Sequence, residues 1–275
     1  MKQFSSMSRL VISLGLALGL LVIIVPFTWL LVSSFKPNSE IVTFNPAFFP
    51  IEPTWDNYHL LFQRMSFGTF ALNSVVVAVV TTVGNLVFCT MCGYALAKLR
   101  FRGSRWVFYL VMLTLLVPPV VTLVPLFVLV GNFGLVDTLA GLILPFIVAP
   151  IGVFLMRQFI MSIPDEMLEA ARIDGAGEWR IFSRIVTPLC LPGLSTLAVL
   201  TFLTSWNSLM WPAVVASNED SYTLPVALAL YAVGQHSTNY GLLIAGAVVV
   251  VVPMLALFLV LQRYFIQSVA TTGLK

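Results

Sequence analysis

Charged side chains are the scarcest class in this chain. Lys, Arg, Asp and Glu make up 9% of 275 residues, against about 25% in ordinary globular domains. A soluble fold of this length needs a charged surface, and this composition cannot supply one. That excludes a water-soluble globular protein, a disordered chain and a coiled coil. Three cysteines cannot build a disulfide framework. Cys89 and Cys92 form a C-x-x-C, but inside an apolar run with no second pair and no nearby histidine, which fits structural thiols on a helix. The chain has no G-K dipeptide, so no P-loop, and neither H-E-x-x-H nor G-x-S-x-G, the marks of a zinc protease and of a serine hydrolase. Its two histidines, His59 and His236, are single and far apart, and are expected to be ordinary loop residues. There is no N-x-Ser/Thr sequon, no internal repeat and no low-complexity tract.

What the sequence does have is grease. Hydrophobic residues make up 59% and the mean hydropathy is +1.00. Six runs approach the roughly 20 apolar residues that cross a bilayer as helix: 10–33, 71–97, 106–130, 139–161, 189–210 and 241–261. A transmembrane β-barrel would alternate polar and apolar positions instead. The expected fold is therefore all-α: one polytopic membrane domain over 1–275 with six transmembrane helices. The first run is longer than a signal peptide's apolar region and reads as a retained helix.

The net charge of +3 could point to an anionic partner such as nucleic acid, but the distribution explains it better. With a cytoplasmic N-terminus, 12 basic residues fall inside and only Lys36 and Arg64 outside, while the acids divide 5 inside and 6 outside. A cation bias toward the cytoplasm is what membrane insertion produces, so both termini are expected to be cytoplasmic. An outer segment over 34–70 with Pro37, Pro46, Pro50 and Pro53 reads as extended chain, followed by a short helix capped by Thr54. A second outer loop is expected over 211–240. Pro118, Pro119 and Pro125 in the third run, and Pro145 and Pro150 in the fourth, imply kinked or broken helices.

No run contains Asp, Glu, Lys or a central Arg; Arg157 near the inner end of the fourth run can snorkel. Ion-coupled carriers place ionisable groups inside the membrane, so an ion-coupled secondary transporter has no sequence support. A membrane-embedded lipid-linked glycosyltransferase would need carboxylates or a metal cluster at the interface. The one dense acidic group lies in the loop at 162–187. With no energy source of its own, the chain is either a passive pore or is driven by another polypeptide.

That loop predicts a helix opened by Pro164, with Asp165 and Glu166 at its positive end, running to Ile173. Asp174-Gly175-Ala176-Gly177 stops it, Gly175 serving as a left-handed cap. A second helix is expected from Glu178 through Ile185, with Pro188 before the fifth run. Ala170 and Ala171 would leave a flat patch for a partner's backbone, with Met167, Leu168 and Ile173 adding apolar area.

Glu169-Ala170-Ala171, then Gly175, Ile185 and Thr187-Pro188 at fixed spacing, resembles the EAA signature of ABC importer permeases, with Thr187 where that signature carries Leu. Pro53-Thr54-Trp55-Asp56-Asn57-Tyr58, Gly93-Tyr94-Ala95-Leu96-Ala97-Lys98, Ser205-Trp206-Asn207 and the tail to Thr272-Gly273-Leu274-Lys275 resemble the sugar-importer branch, in particular the maltose-type permease subunit. The resemblance implies a non-catalytic permease subunit of the cytoplasmic membrane, binding no cofactor itself. It implies a sister permease, two copies of an ATPase that binds the ATP, an extracytoplasmic sugar-binding protein and a sugar as cargo. By the same resemblance Glu169, Ala170, Ala171, Asp174, Gly175 and Pro188 are expected to couple to the ATPase. Polar and aromatic residues within the runs, Asn73, Asn85, Tyr94, Thr204, Trp206 and Asn207, are the candidates for the solute path; interhelical hydrogen bonding is the alternative role for each.

Overall fold

The computed structural model of the protein describes residues 6–45, 47–232 and 239–272. Lys2, Pro46, His236 and Gly273 to Lys275 lie outside them. Among the described residues the regular structure is all helical, with no strand. The chain divides into two compact units, residues 1–67 with 228–252, and residues 68–227 with 253–275.

The first unit contains α1 (Ser6–Ser33), α2 (Asn38–Ile41), α3 (Asp56–Arg64) and the start of α15 (Tyr240–Thr272). Helix α1 is apolar over Val11–Ser33 with almost nothing covering it, as for a helix whose solvent is lipid. The segment after it is not simply extended. Asn57 is buried and its Nδ2 donates to the carbonyls of Ser34 (2.8 Å) and Lys36 (2.7 Å). The Tyr58 hydroxyl pairs with Ser34 Oγ at 2.8 Å. The Glu40 carboxylate accepts the N–H groups of Ile51 and Glu52. Prolines remove donors, and these side chains supply the cross-links that a ladder would otherwise give. Thr54 Oγ1 accepts the Asp56 N–H at 3.1 Å, a local turn just ahead of α3, whose N-cap position is Trp55 and not Thr54. Lys36, counted by sequence among outer surface cations, is 1% exposed and donates to the Ala47 carbonyl at 2.5 Å.

The second unit is built on α4 (Phe67–Lys98), with α5 (Ser104–Thr114), α6 (Pro119–Asn132), α7 (Leu139–Ile143), α8 (Pro150–Met161), α9 (Asp165–Ile173), α10 (Glu178–Ile181), α11 (Thr187–Leu189), α12 (Leu191–Trp206), α13 (Met210–Val215) and α14 (Leu224–Ala232), the last reaching the unit boundary. Its core joins Cys89 and Tyr94 of α4, Val153, Met156 and Ile160 of α8, and Leu197 of α12. Small residues let these helices approach: a Cβ on Gly93 would lie 2.9 Å from the Arg157 backbone nitrogen.

The prolines break the middle runs, as the sequence implies. Helices α5 and α6 meet at 103°, because the residue before a proline is pushed out of helical geometry and Pro118-Pro119 does this twice. Helix α7 continues as a 3-10 turn over Leu144–Phe146 and meets α8 at 43°. The second loop helix runs further than expected: α10 widens into a π-turn at Phe182–Val186, continues through Pro188 and bends 77° into α12. The widening sits one turn before Pro188, whose ring cannot donate and crowds the preceding turn; Thr187 Oγ1 caps the Phe182 carbonyl at 2.9 Å. The segment expected as a second outer loop holds α13 and α14. Among the described residues two helices, α1 and α4, are long and apolar enough to cross a membrane, or up to five spans if each bent pair is one.

Candidate functional site

Helix α9 forms for local reasons. Pro164 takes extended geometry at its start, Asp165 and Glu166 occupy the first turn, and Arg172 the last. The helix ends in a Schellman motif: the Gly175 N–H donates to the Arg172 carbonyl (3.0 Å) and the Ala176 N–H to the Ala171 carbonyl (2.9 Å). Gly175 has φ +80°, a region that costs a side chain about 1–2 kcal/mol. Ala171 and Ala176, the apolar pair of the motif, both pack on the core.

Two clamps from the end of α4 fix this loop. Lys98 Nζ donates to Asp165 Oδ1 and to the Ile163 carbonyl, each at 2.6 Å. That hydrogen bond, reinforced by the ammonium charge, holds the Asp165 carboxyl below the usual carboxylate range. Further along, Arg172 Nε donates to Glu178 Oε1 at 2.7 Å, and the Tyr94 hydroxyl donates to Glu178 Oε2. Leu168, 1% exposed, plugs α9 into the core beside Ile163, Ile181 and Val186. Leu168 is thus used inwardly, a correction to its reading as a partner contact, while Ala171 is half-buried and touches the core with part of its surface. The outward face carries Ala170 and Glu169 with three large exposed side chains: Met167 (45%), Ile173 (86%) and Trp179 (67%). A rigid helix whose inner face is buried and whose outer face is apolar and unpaired can transmit force to whatever seats on it. Asp174, just after α9, and Pro188, in α11, are both exposed.

The same unit has a cavity of about 190 Å³ between α4, the α7–α8 break, α12 and α13. Thr201, Thr204 and Ser205 of α12 and Ser208 just beyond it line it, opposite Thr81 and Asn85 of α4, with Phe146 and Trp211 as aromatic walls. No charged residue lines it. Thr81 Oγ1 is buried there with no hydrogen-bond partner.

Of the solute-path candidates, Asn85 and Thr204 reach this cavity. Asn85 also closes the α7–α8 break: its Nδ2 donates to the Phe146 carbonyl (2.8 Å) and its Oδ1 accepts the Ala149 N–H (2.7 Å). Asn73 is buried and donates to the carbonyls of Asp220 and Tyr222, tying that loop to α4. Tyr94 belongs to the loop clamp. Trp206 is 2% exposed and stacked on Phe202, and Asn207 caps the end of α12 by donating to the Leu203 carbonyl. Lys98 and Glu178 escaped the sequence reading; the one signal for them was Lys98 and Tyr94 lying four residues apart, on one helix face.

A family model described as binding-protein-dependent transport system inner membrane component matches residues 89–271. The chain belongs to that family. The inner membrane component is 39% identical, over 96% of this chain and 95% of the relative, to an arabinooligosaccharides transport system permease protein of Halalkalibacterium halodurans. It is 36% identical, over 93% of this chain and 85% of the relative, to a diacetylchitobiose uptake system permease protein of Streptomyces coelicolor. In fold it resembles a chain of a bacterial ABC transporter involved in alginate import, with a TM-score of 0.82 and 24% identity over 96% of this chain and 100% of that one. An inner membrane component of this kind is a non-catalytic permease subunit: a separate ATPase hydrolyses the ATP, and a substrate-binding protein works with it.

Proposed function

We propose that this permease forms one half of a carbohydrate path, together with a sister permease, and that it crosses the membrane six times with both termini in the cytoplasm. Two copies of an ATPase sit beneath, and an extracytoplasmic binding protein delivers the sugar. The loop at 162–187 is the coupling element, with Glu169, Ala170, Ala171, Asp174 and Gly175 at the contact and Pro188 at its hinge with α12. The observation that carries the coupling role is α9, clamped by Lys98 and by Tyr94–Glu178–Arg172, with Met167, Ala170 and Ile173 turned outward.

Carbohydrate is the common thread of the arabinooligosaccharide and diacetylchitobiose relatives, whereas another relative is a permease of an sn-glycerol-3-phosphate system. The cavity chemistry favours a neutral cargo. A phosphate entering a low-dielectric site needs Arg or Lys to offset its desolvation; this lining is largely aliphatic, with four Ser/Thr hydroxyls from the α12 side, Thr81, one amide and two aromatic rings and no charged group, which suits an uncharged solute better than an anion. Asn85 and Thr204 face it, while Asn73, Tyr94, Trp206 and Asn207 support the surrounding frame.

The decisive experiment places single cysteines at Ala170 and at Ile173 in the assembled transporter and adds a thiol crosslinker. Crosslinks to the ATPase subunit are expected at both, and none from a cysteine at Leu168. Absence of both crosslinks, with a control pair in the same complex reacting, would remove the coupling assignment. Reporter fusions at each terminus test the six-span orientation: activity of a cytoplasm-only reporter is expected at both ends.

A further inference from the structure

Arg157 is a cation to which the proposed cycle gives no task. It sits on α8, its Nε is buried without a hydrogen-bond partner, and its guanidinium lies 4.1 Å from the centre of the Phe108 ring. Phe108 in turn stacks on Phe154 of α8, so the aromatic floor beneath the guanidinium is fixed by two packed helices. Stacking on a ring stabilises a cation by about 0.5–2 kcal/mol, but it leaves the Nε–H without an acceptor, a donor whose loss of water is not repaid.

Among the described residues the ion pairs are Lys98–Asp165 and Arg172–Glu178, and neither includes Arg157. Between Asp56 and Asp137 the sequence has no acidic residue, yet it carries Arg64, Lys98, Arg100, Arg102 and Arg105. Of the cations at the α4–α5 turn, Lys98 is taken by Asp165, while Arg100, Arg102 and Arg105 are exposed. Arg105 lies one turn before Phe108 on α5, so their Cβ atoms are neighbours on the helix surface. Directly after these cations, α5 exposes Trp106 (72%), Tyr109 (49%) and Leu110 (62%). Cations followed within one turn by exposed aromatic and then aliphatic side chains mark the depth where headgroups give way to acyl chains.

We infer that Arg157, stacked on Phe108, together with Arg105 and Arg102, binds the phosphate of an anionic phospholipid headgroup at the surface where α5 packs on α8. The guanidinium supplies a planar fork for two phosphate oxygens, the exposed arginines add charge, and the apolar face of α5 receives the acyl chains. Because Arg102 and Arg105 follow closely on Lys98, the lipid sits next to the clamp that holds α9.

The test uses the purified complex in neutral detergent, titrated with phosphatidylglycerol or phosphatidylcholine, with retained lipid counted by native mass spectrometry and inorganic phosphate as competitor. Phosphatidylglycerol is expected to be retained in preference to phosphatidylcholine and to resist millimolar phosphate. Arg157→Gln should weaken retention about tenfold, as loss of a charge-assisted pair does, and Arg105→Gln about fivefold. Arg157→Lys should fall between wild type and Arg157→Gln, because it keeps the charge and loses the fork. Arg180→Gln, a cation of α10, should change nothing. Equal retention by Arg157→Gln and Arg105→Gln would overturn the site. Displacement by phosphate would mean a free anion and not a lipid. Loss of subunit association in Arg157→Gln with lipid retention intact would assign the arginine to a protein carboxylate instead. If Arg157→Gln does not yield a monodisperse complex, the exposed Arg105→Gln decides alone.

Discussion

Gly175→Val isolates one physical quantity at the coupling loop. A Cβ at this position meets nothing within 4 Å, so the first atom a side chain adds clashes with no neighbour. What it adds is the cost of holding a β-branched residue at φ +80°, about 1–3 kcal/mol. Taking about 2 kcal/mol, the balance between the native turn and an unstrained alternative shifts by a factor of about 30. Relief of that strain requires rotation of the Gly175 peptide, which breaks the bonds from Gly175 to Arg172 and from Ala176 to Ala171 and pulls α9 away from Glu178. The assay is substrate-stimulated ATP hydrolysis and uptake by the transporter in proteoliposomes. We expect Gly175→Val to lower stimulated hydrolysis strongly while basal hydrolysis by the ATPase persists. Gly175→Asn, which tolerates this conformation, should retain most of the coupling. Undiminished coupling in the valine variant, or equal damage from valine and asparagine, would refute the turn's role.

Other perturbations separate packing from docking. Leu168→Ala should destabilise the protein by about 2–5 kcal/mol, read as a lower thermal midpoint in detergent, whereas Ile173→Ala, at an 86% exposed side chain, should leave that midpoint in place and weaken ATPase association. Gly93→Val should also lower the midpoint, by about 1–3 kcal/mol of overpacking, since its Cβ would sit 2.9 Å from a backbone atom of α8; an unchanged midpoint would show that α4 and α8 can separate freely. The Lys98–Asp165 clamp carries a pH signature. The Asp165 carboxyl titrates below its ordinary range in the folded protein, so its stabilisation is complete above that range and is lost as pH falls through the depressed value. Asp165→Asn should therefore loosen the loop at neutral pH, seen as faster proteolysis near Asp174, and the difference from wild type should vanish in acid. In the cavity, Ser205→Leu should fill the polar side and depress uptake with little change in the binding protein's affinity; normal uptake would exclude this cavity from the path.

The sequence by itself determined the elements that rest on local chemistry. Twenty-residue apolar runs dictate membrane helices wherever the chain goes, because an unsatisfied backbone in lipid has no alternative. The α9–Gly175–α10 turn was legible for the same reason: a proline at one end, acids in the first turn and a glycine at the left-handed cap all act within a few residues. Prolines 118 and 119 announced a break, though not its 103°. Only the tertiary structure decided which apolar faces meet protein and which meet lipid, since both environments reward the same side chains and hydropathy cannot tell them apart. It also decided the polar assignments. Tyr94 and Glu178, 84 residues apart, and Lys98 and Asp165, 67 apart, become partners because α4 packs beside the base of α9. Asn85 spends its amide on a broken helix 61 residues away. A polar residue in a membrane helix states that a partner exists, and only the packing of helices names it.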